Sequence, residues 1–217
     1  MISHTEENYL KALYNLASDT GEVAVSELSK QLGIKKPTVT SMMNTLAKKN
    51  MVFYESYKPI RLTEEGKKEA RIIIRKHRLT EMFLVEKMGF GWENVHEIAE
   101  QVEHINSPEF FEKMDDLLGH PRIDPHGSPI PGVNGEMINV KNQKLSDSKV
   151  GEEVILSAVV NTSAEFLTFL NQYEIKLGIY IKIVSVEPFD RSMTLSYGDR
   201  PSQVLSHTVC ERLLVEK

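Results

Sequence analysis

The chain has 217 residues, with 26 Lys+Arg against 31 Asp+Glu, for a formal net charge of −5 at pH 7. Fractions of 41% hydrophobic and 26% charged residues are ordinary for globular proteins and exclude wholesale disorder, collagen-like repeats and a coiled coil. Cys210 is the single cysteine and cannot form an internal disulfide, and the sequence shows neither a signal-peptide pattern nor an apolar run of bilayer length. We therefore expect a cytoplasmic protein.

The net charge is unevenly distributed along the chain. It is +3 over residues 1–75, −7 over residues 76–140 and −1 over residues 141–217. The negative total by itself argues against a nucleic-acid partner. A basic segment followed by an acidic one instead indicates two functions, one with an anionic partner and one with a cationic partner.

The first fifty residues have the pattern of a helix-turn-helix. Apolar residues at helical spacing predict three helices, over residues 5–17, 25–32 and 35–49. Ser26 is the expected N-cap of the second helix, and Gly33 ends it because glycine adopts positive φ at little cost. Pro37 suits the first turn of the third helix, where a proline loses no hydrogen bond.

The third predicted helix and the segment after it carry groups that bind phosphate. Lysines and hydroxyls bond phosphate oxygens, and a helix N-terminus adds its own N–H groups. Residues 51–55 and 60–63 predict a β-hairpin with a basic, aromatic tip, which is the wing of a winged helix-turn-helix. A plain helical hairpin with solvated lysines is the alternative, but the order of elements favours DNA binding. We expect the contacts from Lys35, Lys36, Pro37, Thr38, Thr40, Ser41, Tyr57 and Lys58.

The acidic segment carries histidine and glutamate at helical spacing. His77 and Glu81 are four residues apart and share a helix face. Four further candidates fall within roughly 100° of one helix; they are His96, Glu100, Glu103 and His104. Each pair alone could be a surface hydrogen bond or a solvated helix face. Clustered carboxylates, however, repel one another without a cation or proton, and imidazole with carboxylate suits Mn, Fe or Zn.

Residues 121–135 predict a linker, because four prolines and three glycines cannot sustain a helix or a central strand. Within this segment Asp124 and His126 flank Pro125 and add one oxygen and one nitrogen donor in a constrained loop. After it, alternating apolar residues over 179–186 and 193–197 predict short strands.

On these motifs the sequence resembles the metal-dependent transcriptional repressors of the diphtheria-toxin-repressor and manganese-transport-regulator type. The resemblance rests on Glu7-Asn8-Tyr9-Leu10, Lys36-Pro37-Thr38-Val39-Thr40, residues 76–81, His96 with Glu103-His104, and Asp124-Pro125-His126-Gly127. It implies an α+β multidomain fold in three parts. These are a winged helix-turn-helix (1–75), a helical metal-binding and dimerisation domain (76–138, ending in a linker at 121–138) and a small SH3-like, FeoA-type β-barrel (139–217).

The resemblance also implies two metal sites in each chain. The first would use His77, Glu81 and His96, completed by Asp124, His126 and, in a looser alignment, Glu165. The second would use Asn8, Glu100, Glu103 and His104.

Three positions depart from the family pattern. Iron-type members carry Met at position 8 and Cys at position 100, where this chain has Asn8 and Glu100. Manganese-type members often carry Asp at position 8, and the small ones carry Glu at position 11, where this chain has Lys11. A sulfur-free donor set favours Mn²⁺, with Fe²⁺ as the alternative, and Zn²⁺ and other divalent metals can occupy such sites.

The expected function is therefore that of a homodimeric, metal-dependent repressor that binds double-stranded operator DNA and controls metal-homeostasis genes. No membrane partner, small organic substrate or enzymatic activity is expected. The first alternative is a winged-helix regulator of a small organic ligand, with purely structural carboxylates. The second is a metallohydrolase, which the absence of a His-Glu-x-x-His helix and of a nucleophile constellation makes a poor match.

Overall fold

The structure is a computed structural model, and it describes residues 2–17, 21–138, 140–160 and 162–217. No helix within those ranges is long and apolar enough to cross a bilayer. The chain forms two compact units. The first unit comprises Met1–Thr80, Ala99–Leu117 and Ile130–Met137, and the second comprises Glu81–Ile98, Leu118–Pro129 and Ile138–Lys217. The predicted domain boundary at residue 139 lies outside the described residues, and the three-domain division stays a prediction.

The first unit opens with the three predicted helices: α1 (His4–Leu16), α2 (Val25–Leu32) and α3 (Lys36–Lys48). Ser3 and Glu6 cap α1 reciprocally, each side chain accepting the other residue's N–H. The predicted N-cap of α2, Ser26, was wrong. Ala24 is the N-cap, and the Glu27 carboxylate accepts its N–H at 2.8 Å, so the helix begins before Ser26.

A shared apolar face fixes the angles between these helices. Its central side chains are at most 1% exposed, and they are Leu10, Leu13, Leu28, Val39, Met43 and Leu46. Burial of each such side chain contributes roughly 1.5–3 kcal/mol. Gly33 adopts φ 65° between α2 and α3, which confirms the glycine turn of the helix-turn-helix.

The predicted hairpin forms, with shorter strands than the sequence suggests. Strand β1 (Val52–Phe53) pairs antiparallel with β2 (Arg61–Leu62). Val23, ahead of α2, adds an isolated antiparallel bridge to Ile60. Because Val52, Leu62, Val23 and Ile60 are buried in the helical core, the hairpin is anchored at its base and projects its tip.

Helix α4 (Glu64–Glu86) starts where the hairpin ends. The Thr63 hydroxyl accepts the N–H of Gly66 at 3.0 Å and donates to the Asn50 carbonyl at 2.7 Å. A Cβ at Gly66 would lie 2.0 Å from the Met51 carbonyl oxygen, so only glycine permits this approach of helix to hairpin. The start of α4 is thereby fixed against the winged helix.

Two shorter helices follow α4, namely α5 (His96–Val102) and α6 (Pro108–Leu118). The prediction that residues 96–104 lie on one helix was only partly right. The Glu103 N–H still bonds the Ala99 carbonyl at 2.9 Å, but the chain turns there, and His104 lies beyond the helix. A new helix, α6, begins at Pro108, a residue type that is tolerated in the first turn of a helix but not in its interior.

The second unit is built on a six-stranded antiparallel sheet with the order β3-β8-β4-β5-β6-β7. The strands are β3 (Gln143–Lys144), β4 (Glu153–Val159), β5 (Tyr180–Val186), β6 (Met193–Tyr197), β7 (Arg200–Leu205) and β8 (Leu213–Glu216). Helix α7 (Ala164–Gln172) lies between β4 and β5, and the short α8 (His207–Cys210) precedes β8. The sheet confirms both predicted strands and an SH3-like C-terminal fold.

Alternating side chains of this sheet pack with one face of α7 into a second core. Its residues include Leu156, Leu167, Leu170, Ile183, Leu195 and Val215, all at most 1% exposed. Cys210 is fully buried in the same core, and burial raises the pKa of its thiol to about 12. The cysteine is therefore an apolar packing residue.

Cys210 should accordingly be unreactive in the folded protein. Because the thiolate is the nucleophile, we expect its alkylation by iodoacetamide at pH 8 to be at least on the order of 10³-fold slower than in the unfolded chain. Mass spectrometry of native and denaturant-treated protein measures both rates. Rapid complete labelling of native protein would contradict the burial of this thiol.

Candidate metal centre and nucleic-acid interface

The start of α3 presents the predicted phosphate-binding groups to solvent. Lys35 is the N-cap and makes no side-chain cap bond, and Pro37 occupies the first turn. Lys35, Lys36, Pro37, Thr38 and Ser41 are exposed, and Thr40 is half-buried. An exposed helix N-terminus surrounded by ammonium and hydroxyl groups can bind the phosphates of a nucleic acid.

The hairpin tip is exposed, but its charge is partly paired. Tyr57 projects fully into solvent with φ 66°. Lys58 lies 2.5 Å from the Glu55 carboxylate, and this pair lowers the pKa of Glu55. An exposed ion pair of this kind is weak because water and salt screen it, so a phosphate can replace Glu55 as the partner of Lys58.

A buried cluster of carboxylates and imidazole lies in the second unit. Glu81, near the end of α4, meets Asp124 and His126 from the proline-rich segment, and one ligand atom from each lies within 4.8 Å of the others. These three side chains are only 3–4% exposed. The His96 Nδ1 lies 3.4 Å from the Glu81 Oε1, and the His96 side chain is half-exposed. The arrangement brings together four of the sequence-predicted metal ligands.

Trp92 orients the His126 ring. The His126 Nε2 lies 2.9 Å from the Trp92 carbonyl, which can only accept, so Nε2 carries the proton. The Trp92 indole stacks on the imidazole with centroids 5.8 Å apart. The other ring nitrogen, Nδ1, is thereby aimed at Glu81, 3.6 Å away. Metal-binding histidines usually have such a partner on the second nitrogen.

The charge of the cluster acts on His126. Burial by itself lowers the pKa of this imidazole, but the hydrogen bond and charge of Glu81, the charge of Asp124 and the Trp92 carbonyl together raise it above its ordinary value. The two buried carboxylates therefore favour the protonated form of the ring. A divalent ion would supply the positive charge that these carboxylates need, so the donor set fits a metal.

A tight turn holds Asp124 and His126 in place. The Asp124 Oδ1 accepts the N–H groups of His126 at 2.8 Å and Ser128 at 2.9 Å. The His126 carbonyl accepts the Val159 N–H of β4 at 2.9 Å. Gly127 adopts φ 88°, and a Cβ there would lie 2.1 Å from the Ser157 carbonyl oxygen. Residues 124–128, within the segment predicted as a linker, therefore form a hydrogen-bonded turn seated on strand β4.

The first unit holds a second group of charged side chains, around Glu103, whose side chain is fully buried. The Lys11 ammonium lies 2.7 Å and 2.9 Å from the two Glu103 oxygens and 2.6 Å from Glu100. The His77 Nδ1 contacts Glu103 at 2.6 Å, and the His104 Nδ1 contacts Glu7 at 2.5 Å. The predicted second site is therefore assembled around an ammonium group.

The remaining predicted ligands are placed differently. The Asn8 Oδ1 is buried without a hydrogen-bond partner among the described residues, which suits a donor aimed at a cation. Glu165 is exposed, and its own backbone N–H and the Ser163 hydroxyl lower its pKa. Its role as a ligand stays a prediction. Sequence reasoning assigned no role to Glu7, Trp92 or Gly127, because their contacts with His104, His126 and β4 arise only in the folded chain.

Comparisons with known protein families match two parts of the chain. Residues 1–60 match the family described as iron dependent repressor, N-terminal DNA binding domain. Residues 63–132 match the iron dependent repressor, metal binding and dimerisation domain.

Individual relatives give the same result. The chain is 30% identical over 157 residues to the iron-dependent repressor IdeR of Mycobacterium leprae, covering 69% of this chain and 68% of that protein. Over 129 residues it is 31% identical to the IdeR of Mycobacterium tuberculosis H37Rv, covering 59% of this chain and 56% of that protein. The matched stretch thus spans little more than half of the latter repressor.

Solved structures are similar along nearly the whole chain. A manganese-dependent transcriptional repressor in complex with manganese has a TM-score of 0.87 at 25% identity, covering 97% of this chain and 98% of its own. ScaR with bound Cd²⁺ has a TM-score of 0.82 at 31% identity, covering 98% and 99%.

Gly127→Ala should weaken metal binding by displacing His126 from Glu81. The added methyl group clashes with β4, and disturbing the support of a metal ligand costs roughly 10- to 100-fold in affinity. Gly151→Ala is the matched control, because Gly151 also has positive φ (87°) but open space around its Cβ position. Calorimetric titration with Mn²⁺ should show the loss only in Gly127→Ala. Equal affinities in the two variants would mean that the seating of the loop does not matter.

Proposed function

The chain belongs to the iron-dependent repressor family, and we propose that it is a homodimeric transcriptional repressor whose affinity for operator DNA rises when a divalent metal binds Glu81, Asp124, His126 and His96. The observation that supports this most directly is the buried cluster of Glu81, Asp124 and His126. It occurs in a chain whose helix-turn-helix exposes lysines and hydroxyls. An enzymatic function would not explain the exposed lysines and hydroxyls of the helix-turn-helix.

Mn²⁺ is the proposed metal, with Fe²⁺ as the alternative. The cluster offers carboxylate oxygens and imidazole nitrogens, and the single cysteine is buried in the core of the sheet. Oxygen and nitrogen donors without sulfur suit Mn²⁺ better than softer metals. The similar repressor of known structure with bound manganese supports this choice, whereas the family description names iron.

Repression follows from the linkage between metal binding and conformation. Two recognition helices of a dimer must enter successive major grooves about 34 Å apart. A metal that binds one conformation better shifts the population towards it, and DNA that selects the same conformation then binds more tightly. The controlled genes would be those of metal homeostasis, because the proteins that they encode set the concentration of the metal ion that the repressor binds.

The decisive measurement is DNA affinity as a function of metal. We expect Mn²⁺ to raise the affinity for a duplex selected from a random library by 5- to 150-fold, the usual range of approximately 1–3 kcal/mol for allosteric coupling. Separate anaerobic titrations with Mn²⁺ and Fe²⁺ rank the two metals. Glu81→Gln should abolish the response, while Glu86→Gln, an exposed carboxylate on the same helix, should retain it. Affinity that is indifferent to metal and chelator would refute the proposal.

Lys36→Ala tests the DNA-binding surface. If Lys36 contacts phosphate, the variant should bind all duplexes more weakly, and the slope of log affinity against log salt should fall by about 1. Lys149→Ala, which removes an exposed lysine of the second unit, should leave the slope unchanged. An unaltered slope in Lys36→Ala would place this lysine away from the DNA backbone.

A further inference from the structure

Lys11 occupies the centre of the acidic group in the first unit. Its ammonium lies 2.6 Å from Glu100 and 2.7 Å from Glu103, and its side chain is only 14% exposed. The Glu103 side chain has no exposed surface. A long side chain of α1 therefore reaches inward and ends between two carboxylates from residues 100–103.

These contacts satisfy Glu103 completely. One of its oxygens faces Lys11, and the other faces both Lys11, at 2.9 Å, and the His77 Nδ1, at 2.6 Å. A buried carboxylate is costly unless a cation or several hydrogen-bond donors compensate it. Lys11 supplies that positive charge from within the chain.

The same contacts do not fit a second metal ion. An ion held by Glu100 and Glu103 would compete with the Lys11 ammonium for both Glu103 oxygens and for one Glu100 oxygen, and the two cations would repel each other at close range. His104 is also engaged, since its Nδ1 contacts Glu7 at 2.5 Å and its ring stacks on His4 with centroids 4.8 Å apart. The buried Asn8 Oδ1 has no partner within the described residues, so a donor set would remain if the ammonium were removed.

We propose that Lys11 is the permanent cation of this acidic group, so that each chain takes up one metal ion, at the Glu81–Asp124–His126 cluster, rather than two. Lys11 then joins α1 to residues 100–103 whether or not metal is present. The metal response is carried by a single site. This inference rests on the proposed function for the identity of that site, but the test below separates the two.

The test counts metal ions on the full-length protein. Metal-free protein is dialysed to equilibrium against excess Mn²⁺, and bound manganese per chain is determined by mass spectrometry. Wild type should bind about one ion, and Lys11→Met should bind about two, because the carboxylates lose their ammonium partner. Lys11→Arg keeps the charge and should stay at about one.

Two controls locate the extra ion. Lys49→Met removes another lysine of the first unit, one that pairs with Glu6 at 2.7 Å, and should stay at one ion. Adding Glu103→Gln to Lys11→Met should return the count from two to one. Circular dichroism and thermal unfolding with and without Mn²⁺ verify that each variant is folded, and Lys11→Met should gain an additional Mn²⁺-dependent rise in Tm.

Two ions on the wild type, one of them lost in Glu103→Gln, would overturn the inference, and this result needs no Lys11 variant. A folded Lys11→Met that still binds one ion would also overturn it. No ion on the wild type but one on Lys11→Met would support the role of Lys11 and refute the proposed function instead.

Discussion

The need of buried carboxylates for positive charge is the constraint on which both charged clusters of this protein depend. Glu81, Glu103 and Asp124 are each at most 4% exposed. Such groups destabilise a fold or take up a proton unless cations or donors face them. Glu103 is compensated by Lys11 and His77, whereas Glu81 and Asp124 face His126 and the backbone N–H groups of their loop.

The two forms of compensation have different consequences. A lysine is tethered to the chain, so the link that it makes between α1 and Glu103 does not depend on any solute. The imidazole of His126 exchanges protons with solvent, and a divalent ion could supply positive charge at the same carboxylates. Only a cluster whose compensating positive charge exchanges with solvent can respond to the concentration of a metal ion. We therefore place the proposed metal response at Glu81, Asp124 and His126.

Much of the fold could be predicted from local patterns. Helical spacing indicated α1 to α3, Gly33 marked the turn between α2 and α3, and alternation indicated strands β5 and β6. The failures have physical causes. Ser26 lost the N-cap position to Ala24 because Glu27 supplies the acceptor, and α5 ends before His104. Helix α7 went unpredicted because its apolar face matters only against the sheet.

The sequence by itself determined which chemistry is available: a basic helix-turn-helix, carboxylates with imidazoles, and no cysteine among the predicted ligands. Side-chain type and helical period are local properties, so they can be read without a fold. Only the tertiary structure decided which of these groups meet. It seated Asp124 and His126 against Glu81 through Gly127 and Trp92, and it inserted Lys11 between Glu100 and Glu103. Such pairings join residues far apart in the chain, and packing, not local pattern, selects them.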